Sequence, residues 1–294
     1  MNQRLKAYLR LTRPANLLTA ISDIWAGAGL AGYFFLAHKT IWPFVLLSIA
    51  SVFLYAGGVV LNDVFDAALD QQERPERPIP SGLVAKRSAA LFGGLLLLAG
   101  VALSAANSLF SGLLGLLIAA ACILYDGWAK PHAFFGPLIM GLCRGLNLLL
   151  GMSLLSFTPL NIQTLAIVPL LYIAAVTLIS RGEVHGGNQW ALLLAIFIYS
   201  LVIVVIVFTG ISMHNRIPVL IFVVLFAAFI YPPLWSACKD PGAEKIGRAV
   251  KAGVLGLILM DAAWVAAGAG WLWAVPTALL LPLSILVARR FAVT

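Results

Sequence analysis

Asn62, Asp63, Asp66 and Asp70 close an apolar run in GGVVLNDVFDAALD, and ERPERPIPSG follows within three residues. On a helix, separations of three and four residues bring side chains to a shared face. The spacing therefore predicts that all four of these polar side chains point the same way. Like charges so placed repel unless a cation lies between them. Hard divalent cations take carboxylate oxygens, and Mg²⁺ typically combines one or two carboxylates with phosphate oxygens and water. Arg74 and Arg77 stand in a loop stiffened by Pro75, Pro78 and Pro80, and their guanidiniums suit two-pronged contact with phosphate. Carboxylates that hold metal, facing arginines, make a site for a diphosphate. Its setting in an apolar chain points to a diphosphate with a lipid tail. A solvated helix end tolerates scattered aspartates, but it gives no reason for the basic, proline-rich loop beside them.

The elements that must position these residues are apolar helices. Of 294 residues 62% are hydrophobic and only 10% charged, with a mean hydropathy of +1.01. Soluble domains carry about 25% charged residues, so this composition excludes a soluble fold and predicts a polytopic membrane protein. A span needs about 20 mostly apolar residues. Candidate spans run over 15–37, 41–63, 88–106, 109–126, 133–155, 163–180, 189–210, 217–236, 250–269 and 271–288. The last two are short and tightly joined, so the expectation is nine or ten spans. With the N-terminus in the cytoplasm, 16 of the 19 Lys and Arg residues fall on the inner side, as the positive-inside rule requires. The net charge of +8 is thereby read as loop charge that sets topology, with no nucleic acid as partner. The first apolar stretch lacks a small-residue cleavage site and is expected to remain as a span. Cys122, Cys143 and Cys238 read as small hydrophobes, and the eight tryptophans as mostly an interfacial belt.

This topology gathers the polar motifs at one end of the bundle: 62–87, the loop YDGWAK (Tyr125 to Lys130), SRGEVHGGN (Ser180 to Asn188) and the segment Lys239 to Lys251. Within the spans, Arg144 and Asn147 lie three apart and share a face. Arginine at membrane depth faces a cavity or a partner, so two readings stand: substrate contact, or pairing with a carboxylate such as Asp23 or Asp261. Asp261 has only apolar neighbours in its span and must face the bundle.

NDxxDxxxD followed by RPxRPIPSG resembles the first aspartate-rich motif of UbiA-type intramembrane prenyltransferases. RLTRPANLL (Arg10 to Leu18) is similar to that family's first-span signature, and the likeness continues through YDGWAK and GPLIMGLCRGLNLLLG. ISRGEVHGG and CRGLNLLLGMS are most similar to the EboC-like branch. The resemblance implies an all-α transmembrane bundle around a central cavity, forming one domain over residues 1–294. It implies Mg²⁺-dependent transfer of a prenyl group from its diphosphate to a lipophilic acceptor. Asn62, Asp63, Asp66 and Asp70 would be the catalytic metal–diphosphate cluster, and Arg77 and Lys130 would contact diphosphate oxygens. Tyr125 would lie beside the diphosphate and Asn16 would face the cavity; an interfacial aromatic and a helix-capping amide are the plain readings of these two.

The family's second aspartate motif is replaced here by SRGEVHGGN, with a single carboxylate, Glu183. Either Glu183 alone holds a second Mg²⁺, or Arg181 grips the diphosphate in place of metal charge; His185 is a weaker candidate ligand because Mg²⁺ prefers oxygen. Two further readings stay open: a terpene cyclase in which the substrate's own double bonds capture the cation, and a prenyl-lipid carrier without catalysis. Short loops fit a bacterial inner membrane.

Overall fold

A computed structural model describes residues 3–37, 40–183 and 186–291. The described residues form thirteen α-helices and no strand. In chain order they are α1 (Gln3–Leu11), α2 (Pro14–Ala31), α3 (Ile41–Phe65), α4 (Ala67–Glu73), α5 (Lys86–Asn107), α6 (Leu109–Leu124) and α7 (Phe135–Met152). There follow α8 (Leu160–Gln163), α9 (Ile167–Ser180), α10 (Gln189–Ser212), α11 (Arg216–Lys239), α12 (Ala243–Ala269) and α13 (Trp271–Phe291).

Among the described residues nine helical stretches are long and apolar enough to cross a membrane, from α3 to α13. The remaining predicted span is α2, whose 18 residues extend about 27 Å at 1.5 Å per residue. It falls short only in apolarity, because Asn16, Thr19, Ser22 and Asp23 interrupt it, and its inward face buries the last three. Among the described residues a helix thus stands at each of the ten candidate positions, and nine stretches meet the length and apolarity of a span, within the expected nine or ten.

The helix ends follow from local chemistry. Pro14 opens α2 where its missing N–H costs nothing. Ser108 caps α6 by accepting from the Ser111 N–H at 3.0 Å, and Asn188 caps α10 by accepting from Trp190 N–H at 2.9 Å. α12 is the central helix: 89% of its apolar window is buried inside the protein, against 28% for α10, which turns Phe197, Val204 and Phe208 outward. An apolar helix with an exposed hydrocarbon surface is one solvated by lipid. Trp42, Trp128, Trp190, Trp235 and Trp271 are exposed as a belt requires, but Trp264 is fully buried in α12. The belt reading fails for Trp264 because α12 has no lipid-facing side.

The tightest helix contacts run through glycine. A Cβ on Gly27 of α2 would stand 2.3 Å from Leu148 O of α7, and one on Gly268 of α12 would stand 2.2 Å from Gly29 O of α2. Backbones so close leave no room for any side chain. We expect Gly27→Leu to destabilise the bundle by about 1–3 kcal/mol or more, read as a lower melting temperature in detergent. Gly94→Ala, at an open position, should leave it unchanged.

Candidate active site at the basic end of the bundle

A cavity of about 850 Å³ opens where the start of α2, the end of α9, the start of α12 and the end of α13 meet Asp63 near the end of α3. Its rim holds six basic residues, Arg10, Arg13, Arg74, Arg77, Lys251 and Arg289, against two acids, Asp63 and Glu183. Beneath them the wall is apolar, with Val250, Val254, Leu255 and Ile285. A basic mouth over an apolar wall suits a ligand with an anionic head and a hydrocarbon tail.

The aspartate helix runs on past α3 into α4 with only a turn at Asp66. Asp66 N–H still donates to Asn62 O at 2.9 Å, and Asp70 N–H to Asp66 O at 2.8 Å. The four polar side chains nevertheless separate into two sets rather than sharing one face. Asp63 and Asp70 turn to Arg77, whose Nη1 lies 3.4 Å from Asp63 Oδ1 and 2.7 Å from Asp70 Oδ2. Arg13 also donates to Asp63 Oδ1, at 2.8 Å. Asp66 instead pairs with Lys130, and Asn62 Nδ2 donates to Asp126 Oδ1 at 2.6 Å. The division has a simple cause, since neighbouring helix positions such as 62 and 63 are about 100° apart. Asn62 stays with Asp66 and Asp63 with Asp70; spacing alone would also join Asp66 to Asp70, but their different cations, Lys130 and Arg77, part them.

Local structure holds these cations in place. The residue before a proline is disfavoured in the right-handed helical region, and Arg13, preceding Pro14, is left-handed at φ 47° and ψ 63°. The sharp α1–α2 turn that results aims its guanidinium at Asp63. The proline loop is closed by its own backbone: Ser81 N–H donates to Arg77 O at 2.9 Å and Val84 N–H to Pro78 O at 3.0 Å, with Gly82 at φ +74° making the reversal. Asp126 lies within a π-helical turn, Tyr125–Ala129, at the end of α6, and Lys130 directly follows it; such turns recur at functional sites.

Glu183 lines the cavity with Asp63, Arg74 and Arg77. Burial pushes its carboxyl above the usual range, opposed by Arg74 and then Arg13. Asn16 also lines the cavity. Arg181 is exposed and spends its Nη2 on the carbonyls of Lys130 and Pro131, at 3.0 and 2.9 Å, so it braces the Lys130 loop. His185 lies outside the described residues. Arg144 and Asn147 are buried away from the cavity wall. Both donate to Asp23 Oδ2, each at 2.9 Å, and Arg144 Nη2 donates to Thr19 at 2.8 Å. Of their two expected roles, the structure displays pairing with a carboxylate.

The acceptor side chains of the two aspartate sets and of the cavity, Asn62, Asp63, Asp66, Asp70, Asp126 and Glu183, all offer oxygen, which fits a hard cation such as Mg²⁺. Among the described residues no three carboxylates converge as a preformed metal centre; arginine and lysine sit between them. Sequence reasoning passed over Asp126, Arg10, Arg13, Lys251 and Arg289. Arg10 and Arg13 carried a signal in their three-residue spacing beside Pro14, and Asp126 in its four-residue spacing from Lys130. Lys251 carried only its place in the polar segment Lys239 to Lys251 and Arg289 none, because the packing of α12 and α13 brings them to the cavity.

Comparison with known proteins supplies a family. The UbiA prenyltransferase family model matches residues 24–248. Digeranylgeranylglyceryl phosphate synthase of Saccharolobus solfataricus is 31% identical over 186 residues, 63% of this chain and 64% of that protein. The synthase of Methanococcus maripaludis is 36% identical over 142 residues, 48% of this chain and 50% of that protein. The chain therefore aligns with less than two thirds of these relatives' lengths. A solved digeranylgeranylglyceryl phosphate synthase structure superposes with a TM-score of 0.68 at 23% identity, covering 92% of this chain and 99% of that one. A UbiA homologue from Archaeoglobus fulgidus bound to DMAPP and Mg²⁺ gives 0.67 at 19% identity, covering 92% and 98%. These likenesses establish the bundle fold.

Arg77 is the cation of buried Asp70 and shares buried Asp63 with Arg13, so its loss leaves the Asp70 charge unpaired. We expect Arg77→Met to cost about 3–5 kcal/mol, measured by thermal unfolding, with Arg77→Lys losing less.

Proposed function

The chain belongs to the UbiA prenyltransferase family, and from that premise we propose that it transfers a prenyl group from a prenyl diphosphate to a lipophilic acceptor inside the membrane. The observation that carries this reading is the cavity with six cations and two acids above an apolar wall. A carrier of neutral lipids has no use for such a charge excess. A nucleotide has no use for the hydrocarbon wall.

Asn62, Asp63, Asp66 and Asp70, with Glu183 across the cavity, would hold Mg²⁺. When bound, that ion supplies charge neutralisation for the departing diphosphate. The chain's own residues do the rest. Arg74, Arg77 and Lys130 bind phosphate oxygens and stabilise the negative charge that grows as the prenyl carbon–oxygen bond breaks. The electron pair leaves with the diphosphate, so no protein nucleophile is required. The apolar wall excludes water from the allylic cation until the acceptor's nucleophilic atom bonds to it and gives up its proton. Tyr125 and Asn16 shape the region beside the diphosphate.

The relatives' name includes a glyceryl phosphate, and the cavity charge supports an acceptor of that kind here. Among the described residues, no ion pair within 4.0 Å involves Arg10, Arg74, Lys251 or Arg289. Cations beyond those that hold the aspartates leave room for a second anionic head. The basic-residue bias supports placing this end of the bundle on the cytoplasmic side of a cell membrane, with the whole chain as one domain.

The test is diphosphate release by purified protein given Mg²⁺, a panel of prenyl diphosphates and a phosphate-bearing glycerol lipid. Asp66→Ala or a chelator should lower release by about 10²-fold or more. Release in wild type without any acceptor would turn the assignment to a cyclase, and binding without release under every condition would turn it to a carrier.

A further inference from the structure

Deep in the bundle, below the cavity, Asp23 of α2 and Asp261 of α12 are both fully buried. Asp23 Oδ2 accepts from Arg144 Nη1 and from Asn147 Nδ2, each at 2.9 Å. Asp261 has no cation within 4.0 Å among the described residues; its Oδ2 lies 2.5 Å from Ser22 Oγ. The charged and titratable groups near this point include Asp23, Arg144 of α7 with the Tyr55 ring of α3 4.9 Å from its guanidinium, and Tyr172, Tyr199 and Tyr231 of α9, α10 and α11. Tyr172 donates its hydrogen to Gly253 O at 2.8 Å. Two ionised carboxylates with one guanidinium would leave a net negative charge in the apolar centre, which is prohibitively costly.

The hydrogen count points the same way. Ser22 Oγ has two acceptor oxygens in reach, Asp261 Oδ2 at 2.5 Å and Thr19 O at 2.9 Å, but only one hydrogen to give. Oδ1 of Asp23 and Oδ1 of Asp261 are buried with no donor at all. The site is short of hydrogens. One more on Asp261 relieves the shortage at Ser22: its carboxyl donates to Ser22, and Ser22 passes its own hydrogen to Thr19 O. A separation of 2.5 Å belongs to the short end of O–H···O bonds. Asp23 is the member of the pair matched to the guanidinium, from which it accepts together with an amide.

We propose that Asp261 holds a proton permanently and serves as a neutral hydrogen-bonding latch from α12 to α2, positioning the cavity wall that α2 carries. The latch continues outward: Thr19 Oγ1 accepts from Arg144 and donates to Asn16 O at 2.7 Å, and Asn16 lines the cavity beside Arg13. Asp261 is thus a positioning residue that never touches the substrate. Its neutral form makes the amide of asparagine the closest replacement, whereas Asp23 has no such substitute.

The experiment compares full-length wild type, Asp261→Asn, Asp261→Leu and Asp23→Asn in lipid nanodiscs by infrared difference spectroscopy and thermal unfolding. The wild-type minus Asp261→Asn spectrum should show a protonated carboxyl C=O stretch that shifts in D₂O, with no carboxylate bands. Asp261→Asn should keep the wild-type melting temperature, while Asp261→Leu and Asp23→Asn lower it. In prenyl diphosphate assays Asp261→Leu should raise KM, and Asp261→Asn should restore it. Carboxylate bands in place of the C=O stretch, or an Asp261→Asn protein as unstable as Asp23→Asn, would overturn the latch. The infrared and unfolding readouts are independent of any activity, so they stand whatever the catalytic assays return.

Discussion

A carboxylate surrounded by hydrocarbon has to be neutralised, and the structure depends on how this chain meets that demand. It has only 11 acidic residues in 294. Where they lie near the bundle, most find a positive partner or a hydrogen-bond donor. Asp63 and Asp70 share Arg77, Asp66 takes Lys130, and Asp23 takes Arg144. These pairings join segments far apart in sequence: residue 13 to 63, 66 to 130, and 23 to 144. Apolar packing alone discriminates poorly among helices in lipid, since the solvent is as apolar as the side chains. Ion pairs and close glycine contacts supply the missing specificity.

The same pairings account for function. Cations that neutralise aspartates are chemically the groups that bind phosphate oxygens, and aspartates are the groups that bind a hard metal. A metal and a diphosphate arriving together offer each side a new partner, so the charge balance of the site survives the exchange. Neither alone does so, because a metal by itself adds charge to a site already balanced by Arg13, Arg77 and Lys130. The left-handed backbone at Arg13 and the self-closed proline loop fix where two of these cations start from.

Much of this was legible in the sequence. Runs of about 20 apolar residues are long-range signals that survive any packing, which is why the ten predicted positions match ten helices. The aspartate helix and the RPERPIPSG loop were equally plain, because charge is conspicuous in an apolar chain. The division of Asn62 and Asp66 from Asp63 and Asp70 was not legible. Spacing places residues on a helix, but their partners decide which way they turn. Arg144 showed both its possible roles in sequence, and only the position of α2 against α7 chose between them. Lys251 and Arg289 reach the cavity through the packing of the last two helices, to which no local pattern points.

The most direct test of the account is the thermal stability of the wild-type protein with Mg²⁺ alone, with a prenyl diphosphate alone, and with both. A ligand that binds the folded state raises the melting temperature in proportion to its occupancy. The cation-paired site predicts little shift with either component alone and a large shift with the two together. A shift with Mg²⁺ alone as large as that with the pair would contradict it, because the aspartates would then form a metal site in their own right.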